Sequence, residues 1–582
     1  MFQILKRCIL ARSTRWPSRD TMLNPFPARA SGRSERSDLL FLCLIFILSS
    51  VLYVGGLGYY SDDWAFLAAW TNSSDQSYWG LVKGFYKGSD LYLRPMQSFY
   101  LTGLYWLFGR HPLGYHAVNS ALIACTLLLL YMALRELGLS RMPAVAIASV
   151  YGLMPHYSTD RFWIAAGQSN VCMAFCFLSF YGSVRIFSAN TKRRWAWILT
   201  SLLAMPASLL AYEVSAPLML LVPVALYMGF RRSFTVPAAP TRQKRTSRPV
   251  VLLSLAVLAL SIILKLTLQT SVRFQGRFLH RLGLVFWHAV SQFFNFNIGE
   301  YGLALPAVAC RAVRRHPDIQ VVTCAALAGA VIFAYCLWIA RRNPKDLPSR
   351  GGWAALMLLG LVCYGLGFAP FAAAVEMDFV STGVENRVTI AAALGTAIWL
   401  VGLFGWATSF LPGQRLRAAA FAALVAVYCA SGFAMNNTLA SYWIEARHRQ
   451  EEVLAKIKRA FVTLPSGTTL LVDGVCRYVG PGIVFETDWD MGGAVQLLYG
   501  DPTLRANVLN PRLRLQPDSV ILPIYTMEAV YPYGDRLILY DIVQNRTCRL
   551  TNLETARDSL RSATAIGAGC PPGQEGKGTP VF

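Results

Sequence analysis

The sequence predicts an all-α polytopic membrane bundle of about 11 transmembrane helices, followed by a small C-terminal α/β domain on the extracytoplasmic side. Three observations predict it. The 582-residue chain is 55% hydrophobic and only 15% charged, with a mean hydropathy of +0.41; a soluble domain carries roughly 25% charged residues. Its apolar residues gather in runs long enough to cross the hydrocarbon, where a helix satisfies its own backbone polar groups. The charge then changes character at residue 437. From Asn437 onward there are 15 Lys/Arg and 15 Asp/Glu, so the first 436 residues carry 39 basic and 16 acidic residues and the whole net charge of +23. Much of that excess sits in short clusters between apolar runs, as in the cytoplasmic loops of membrane proteins. This distribution argues against nucleic acid as a partner, since a nucleic-acid binder concentrates its basic residues in one patch or stripe.

Residues 1–38 form a basic N-terminal segment, with eight Lys/Arg against three acids. The apolar run at 39–60 is too long and too deep in the chain for a cleaved signal and reads as the first span. The basic residues before it hold the N-terminus in the cytoplasm. Further apolar runs lie near 117–134, 143–157, 163–187, 195–211, 214–230, 249–269, 318–340, 353–375, 388–411 and 418–436. The basic markers between them alternate onto the cytoplasmic face if 271–317 returns to the side it left. That stretch is read as an outer loop with interfacial helices, the alternative being two short spans.

The transmembrane domain thus covers 39–436, with an acidic, aromatic outer loop at 61–95. Residues 437–570 form the small soluble α/β domain. It opens with an amphipathic helix, followed by short strands such as SVILPIYTM and RLILYDIV set off by Pro, Gly and Asp. Residues 571–582 are expected to be disordered. The sequons at Asn72, Asn436 and Asn545 all fall outside in this topology. Of 13 Cys, most sit in apolar runs, while Cys476, Cys548 and Cys570 lie in the tail and can pair in an oxidising compartment.

Directly after the first span comes a pair of acids, Asp62 and Asp63, in GGLGYYSDDWAFLAAW. Two adjacent acids can divide labour, one oriented by hydrogen bonds and one with a raised pKa acting as a base. They can equally be helix-capping or solvated acids. The chain continues through Arg94-Pro95, GRHPLGYHAVN, a Pro155–Trp163 turn bearing Asp160, then Gly167, Glu213 between two apolar runs, and Glu385-Asn386-Arg387 opening a late span.

In this order the pieces resemble the C-type membrane glycosyltransferases, close to the protein O-mannosyltransferase branch and its bacterial relatives. The resemblance covers about residues 39–435. It departs where the family's common Arg is Gln168, and no tetratricopeptide repeats follow. It implies an inverting transfer, on the extracytoplasmic side of the plasma (inner) membrane, of a sugar from a polyprenyl-phosphate donor to an acceptor hydroxyl. The loop 61–95 would then be catalytic. Asp63 is the expected base, with Asp62 as orienter or substitute. Arg387, Lys265 and Arg94 are the expected grip on the donor phosphate. Asp160, Glu213 and His116 are expected to line or support the cavity. Each has a plainer reading: Arg387 as an interfacial anchor, Lys265 as a snorkelling side chain, His116 as a structural histidine, and Asp160 and Glu213 as turn acids. No cofactor is required, although Asp62, Asp63, Asp160 and Glu213 are the ligand types for a divalent cation. The rival functions are a transporter or flippase of a lipid-linked glycan, an outer-face polysaccharide ligase or polymerase, and a structural envelope subunit. The acceptor class, whether protein, lipid or glycan, is left open.

Overall fold

The computed structural model describes residues 32–88, 94–188, 191–235, 247–268, 278–343, 347–372, 379–524 and 527–562. Most of the basic N-terminal segment, and the tail expected to be disordered, lie outside the described residues.

The apolar runs become helices. In chain order these are α1 (Gly32–Val54), α2 (Asp62–Thr71), α3 (Tyr78–Gly88), α4 (Pro95–Phe108), α5 (Pro112–Glu136), α6 (Arg141–Leu153), α7 (Gln168–Ser188), α8 (Thr191–Ala211), α9 (Leu221–Thr235), α10 (Ser247–Leu268), α11 (Phe278–Asn297), α12 (Leu305–Arg315), α13 (Ile319–Arg342), α14 (Arg350–Ala372), α15 (Ile390–Thr408) and α16 (Gln414–Ala460). Among the described residues, nine helices are long and apolar enough to cross a membrane. The two remaining apolar runs form shorter helices, the 13-residue α6 and the segment Leu218–Met228. Every residue of α6 is buried, so its apolar character serves the interior of the bundle. The protein is a polytopic integral membrane protein. Leu252, Leu260 and Ile263 on α10, with Leu199 and Leu203 on α8, are exposed, as side chains facing lipid must be.

In the ambiguous stretch, α11 and α12 are not among the nine candidate spans. Helix α12 buries Leu305, Val308, Ala309 and Ala312 and turns Arg311, Arg314 and Arg315 the other way. That 3-4 spacing with a basic opposite face suits a helix lying at an interface.

Helix α15 is the central element and is almost wholly buried. Small residues let α14 approach it: a Cβ on Gly395 would stand 2.1 Å from the Tyr364 backbone nitrogen, so only glycine fits that crossing. The approach fixes the start of α15, where Arg387 sits.

Helix α16 runs unbroken for 47 residues, from the last apolar run through the expected amphipathic segment. No joint separates membrane and tail at residue 437. Trp443, Ala446, Gln450, Val453 and Ile457 form its buried stripe beyond the apolar part. Arg447–Glu451 and Arg449–Glu445 pair on the exposed face at i,i+4 spacing. Gln450 donates to the carbonyls of Ile483 and Val484 at 3.3 and 2.7 Å, binding the helix to the C-terminal module.

That module comprises β1 (Thr469–Asp473), β2 (Tyr478–Val479), β3 (Gly482–Ile483), α17 (Asp488–Tyr499), β4 (Arg505–Val508), β5 (Arg514–Leu515), β6 (Ser519–Ile524), β7 (Met527–Pro532), β8 (Leu537–Asp541), β9 (Arg546–Arg549) and α18 (Leu553–Ser562). Strand β1 pairs in parallel with β4 and β8, and β9 closes antiparallel on β8, giving the order β4-β1-β8-β9. Strands β5, β6 and β7 make a separate antiparallel sheet. Helix α17 lies against α2, with Gly493 so close that a Cβ would stand 2.5 Å from the Trp64 carbonyl oxygen. Asn436, buried inside α16, spends its amide on the Leu153 carbonyl at 2.7 Å. Its sequon therefore does not lie on an outer surface.

Candidate functional site

The site is built where the first inter-helix loop meets three later turns. Ser61 precedes α2 with φ 47° and ψ −120°, a backbone region that costs a non-glycine residue about 1–3 kcal/mol. The kink places Asp62 and Asp63 at the start of the helix, facing different surroundings.

Asp63 is 3% exposed and spent on backbone. One carboxylate oxygen accepts the Tyr60 N–H at 3.0 Å and the other the Ala165 N–H at 2.8 Å. It thus ties the loop before its own helix to the turn before α7. Burial holds its pKa well above the usual carboxylate range, against the pull of those N–H groups.

Asp62 is half-buried, and among the described residues its carboxylate has no hydrogen-bond partner. Burial pushes its pKa up to about 6; Arg387 and Arg94 oppose that rise, and Glu486 adds to it. Hydrogen bonding therefore separates the pair: two backbone N–H groups hold Asp63, and Asp62 lies in the field of the cations.

Arg387 lies in the turn opening α15, its guanidinium 4.9 Å from the centre of the Trp163 ring. Asn386 holds this turn. Its amide donates to the carbonyls of His156, Val380 and Ser381, and its oxygen accepts the Thr159 N–H at 3.1 Å. That network clamps the Arg387 turn onto the Asp160 turn. The Asp160 carbonyl accepts from Asn119 and Asn170, each at 2.8 Å. Its carboxylate is fully buried, with no hydrogen-bond partner for either oxygen among the described residues. Burial drives its pKa well up, and Arg387 pulls against it.

Glu213 stands beside two cations, with Arg94 Nη2 at 2.9 Å and Lys265 Nζ at 3.3 Å. Burial alone would raise its pKa, but Arg94 and Lys265 outweigh it and hold the carboxyl at about 2. Arg94 also lies over the Tyr212 ring at 4.5 Å. Lys265 reaches from inside the α10 span to a carboxylate at its end, so its charge is paired. His116 is buried, with Nε2 2.8 Å from the Gly58 carbonyl; it braces the loop before Tyr60.

Apart from His116, the predicted residues thus form two groups. Asp62, Asp63, Asp160 and Arg387 make one, and Arg94, Glu213 and Lys265 the other. The field of Arg94 at Asp62 joins them. Among the described residues no three His, Cys, Asp or Glu side chains gather as a metal ligand set. Glu213 is committed to cations and Asp63 to backbone N–H groups.

Sequence reasoning missed four residues. Asn119 and Asn386 lay inside the quoted motifs, but nothing local distinguishes a clamping amide from a solvated one. Glu486 and Trp489 come from the C-terminal module. The Ser61 hydroxyl donates to Glu486 Oε1 at 2.9 Å, and the Trp489 indole N–H donates to Ser61 Oγ at 3.4 Å. On the far side of this contact, α2 and α17 border a groove of about 530 Å³ lined by Ala69, Asp488, Trp489, Arg505 and Tyr531. Arg94, Lys265 and Arg387 do not line it.

No family model matches the chain. Over 204 residues it is 28% identical to the protein O-mannosyl-transferase Tmtc1 of Drosophila melanogaster, a match covering 33% of this chain and 23% of that protein. The chain therefore spans under a quarter of that relative's length. Among solved structures it is similar to the oligosaccharyltransferase of Archaeoglobus fulgidus, tethered to an acceptor peptide (TM-score 0.34, 11% identity, 81% of this chain and 64% of that one). It is also similar to ArnT from Cupriavidus metallidurans (TM-score 0.33, 15% identity, 81% and 90%). The Drosophila relative is named an O-mannosyl-transferase, as is the branch that the sequence resembles.

Proposed function

We propose that this protein is an inverting membrane glycosyltransferase. It takes a sugar from a polyprenyl-phosphate-linked donor and passes it to an acceptor hydroxyl at the end of the bundle where α2 begins. The observation that carries the reading is Asp62, a half-buried carboxylate whose pKa is pushed up to about 6, placed in the field of Arg387 and Arg94. A base near the operating pH is what deprotonation of a hydroxyl requires.

In the proposed step, Asp62 takes the acceptor proton as the acceptor oxygen attacks the anomeric carbon. The bond to the phosphate oxygen breaks, and the phosphate leaves with the electron pair. Negative charge grows on that phosphate, and Arg387, Arg94 and Lys265 answer it. A single displacement inverts the anomeric centre. The O-mannosyl-transferase name of the curated relative supports the reaction class.

The reading places the N-terminus in the cytoplasm and the module outside it. Arg341, Arg342, Arg415 and Arg417 belong to helix ends away from α2, as cytoplasmic charge requires. Cys476 is disulfide-bonded while Cys548 is a free thiol, and disulfides persist in oxidising compartments.

The test is transfer of radiolabelled sugar from a panel of polyprenyl-phosphate sugars by wild type and by Asp62→Asn and Asp63→Asn. Transfer that collapses in Asp62→Asn with donor binding intact supports the reading. Absence of both transfer and donor binding in the wild type sinks it.

A further inference from the structure

A buried polar contact joins the C-terminal module to the residue before Asp62. Glu486 is 1% exposed, yet it is a carboxylate from a domain that composition alone would treat as separate. Its Oε1 accepts the Ser61 hydroxyl at 2.9 Å, and its Oε2 accepts the Tyr478 hydroxyl. Its backbone is fixed as well. The Glu486 N–H donates to Asp490 at 2.8 Å, and the Arg477 guanidinium donates to the Glu486 carbonyl at 2.7 Å. Asp490 in turn closes a capping box with Thr487 at the start of α17. A buried carboxylate held at both ends and along its backbone is a rigid anchor. What it anchors is Ser61, the one residue of this loop in the left-handed φ region.

We propose that Glu486 is a positioning residue for the Asp62–Asp63 turn: through Ser61 it holds the kink that aims the Asp62 carboxylate, so the C-terminal module completes the active site. The role of Asp62 rests on the function proposed above; the positioning itself does not. A strained backbone persists only where surrounding contacts over-determine it. Here those contacts are Glu486 and Trp489 on Ser61 from one side, and the Tyr60 and Ala165 N–H groups on Asp63 from the other. Without the first set, the Ser61 backbone is free to relax and Asp62 to turn from Arg387.

Charge gives a second handle. The groups facing Asp62 are Asp63 on its own helix, Arg94 from the start of α4, Arg387 from the start of α15 and Glu486 from the module. Glu486 pushes the proton affinity of Asp62 up, so removing its charge lowers it. Tyr478 and Asp490 face Glu486 itself.

The experiment compares full-length wild type, Ser61→Ala, Glu486→Ala, Glu486→Gln and the Ser61→Ala/Glu486→Ala double variant in lipid nanodiscs. Hydrogen–deuterium exchange is read over residues 58–66, alongside transfer kinetics with a polyprenyl-phosphate sugar. In Glu486→Ala and Ser61→Ala, amides 58–66 exchange faster while the spans keep their protection. The rate constant kcat falls roughly 100-fold, the scale of a misplaced reacting group, with KM for the donor little changed. The double variant falls no further than Glu486→Ala, because both remove one contact. In Glu486→Gln the acid limb of kcat/KM moves to lower pH, which loss of packing alone would not do. Unchanged exchange at 58–66 in Glu486→Ala overturns the proposal, as do single effects that multiply in the double variant. If the wild type transfers no sugar and 58–66 still loosens, the chemistry proposed above fails and the positioning stands.

Discussion

Lys265 Nζ stands 3.3 Å from Glu213 Oε2, so a cation rising from within a membrane span ends on a carboxylate that also holds Arg94. Three groups from three separate elements meet at one point. Glu213 is the hub: without it the two cations repel each other in a partly desolvated setting.

Glu213→Gln is therefore expected to destabilise the protein by about 1–2 kcal/mol, a figure discounted for the partial exposure of the pair. Lys265→Met in the same background should recover part of that loss, since it removes one stranded charge. Thermal unfolding of the purified variants checks the order. Because the folded carboxyl titrates at about 2, below the ordinary 4.5, its contribution is present above pH 4.5 and is lost as pH falls toward 2.

Asp62 has the opposite sign. Its folded carboxyl titrates at about 6 against the ordinary 3.8. Stability from the protonated form is full below pH 3.8 and is lost as pH rises through 6. Asp62→Asn should then be more stable than wild type at pH 8, by about 1 kcal/mol after discounting for partial exposure, and indistinguishable from it at pH 3.5. The same variant should lose transfer, and the wild-type kcat/KM should fall on an acid limb near pH 6. Denaturation at two pH values, with a pH–rate profile, decides it.

Arg387→Lys keeps the charge and loses the planar fork, along with much of the stacking on Trp163. A drop in kcat/KM of about 10²-fold or more is expected, with Arg387→Gln lower still. Equal activity of Arg387→Lys and wild type in a donor titration would remove Arg387 from the phosphate grip.

Asn386→Ala takes the amide donor from the part-buried carbonyls of Val380 and Ser381 and leaves the buried His156 carbonyl to the Thr389 hydroxyl. A loss of about 2–3 kcal/mol is expected, with transfer falling because the Arg387 turn loosens from the Asp160 turn. Unfolding and transfer measured on one preparation separate the two effects. Asn386→Asp, which keeps the acceptor and removes the donors, should resemble the alanine variant.

The bundle is legible in the sequence because a membrane span announces itself: each of the nine spans coincides with an apolar run. The acids of the first loop are legible too, as charge directly after such a run. How Asp62 and Asp63 divide is not, because the N–H that commits Asp63 belongs to Ala165, 102 residues away. Glu486 carries no local mark, sitting in a neutral tail with ordinary composition. The continuity of α16 was hidden by a change of surface, from apolar all round to a single stripe, that reads as a boundary. One signal spoke for it: no Gly or Pro occurs between Phe433 and Leu464, so nothing in the chain asks the helix to stop.

That helix works as a mast. At 1.5 Å per residue its 47 residues reach roughly 70 Å, more than twice the roughly 30 Å hydrocarbon. Its foot stands among the spans and its head carries the module, so height and azimuth over the bilayer are set together. A tethered domain tolerates an added residue; this one does not. One residue inserted between the last span and Trp443 would swing the module by about 100° and carry Glu486 away from Ser61.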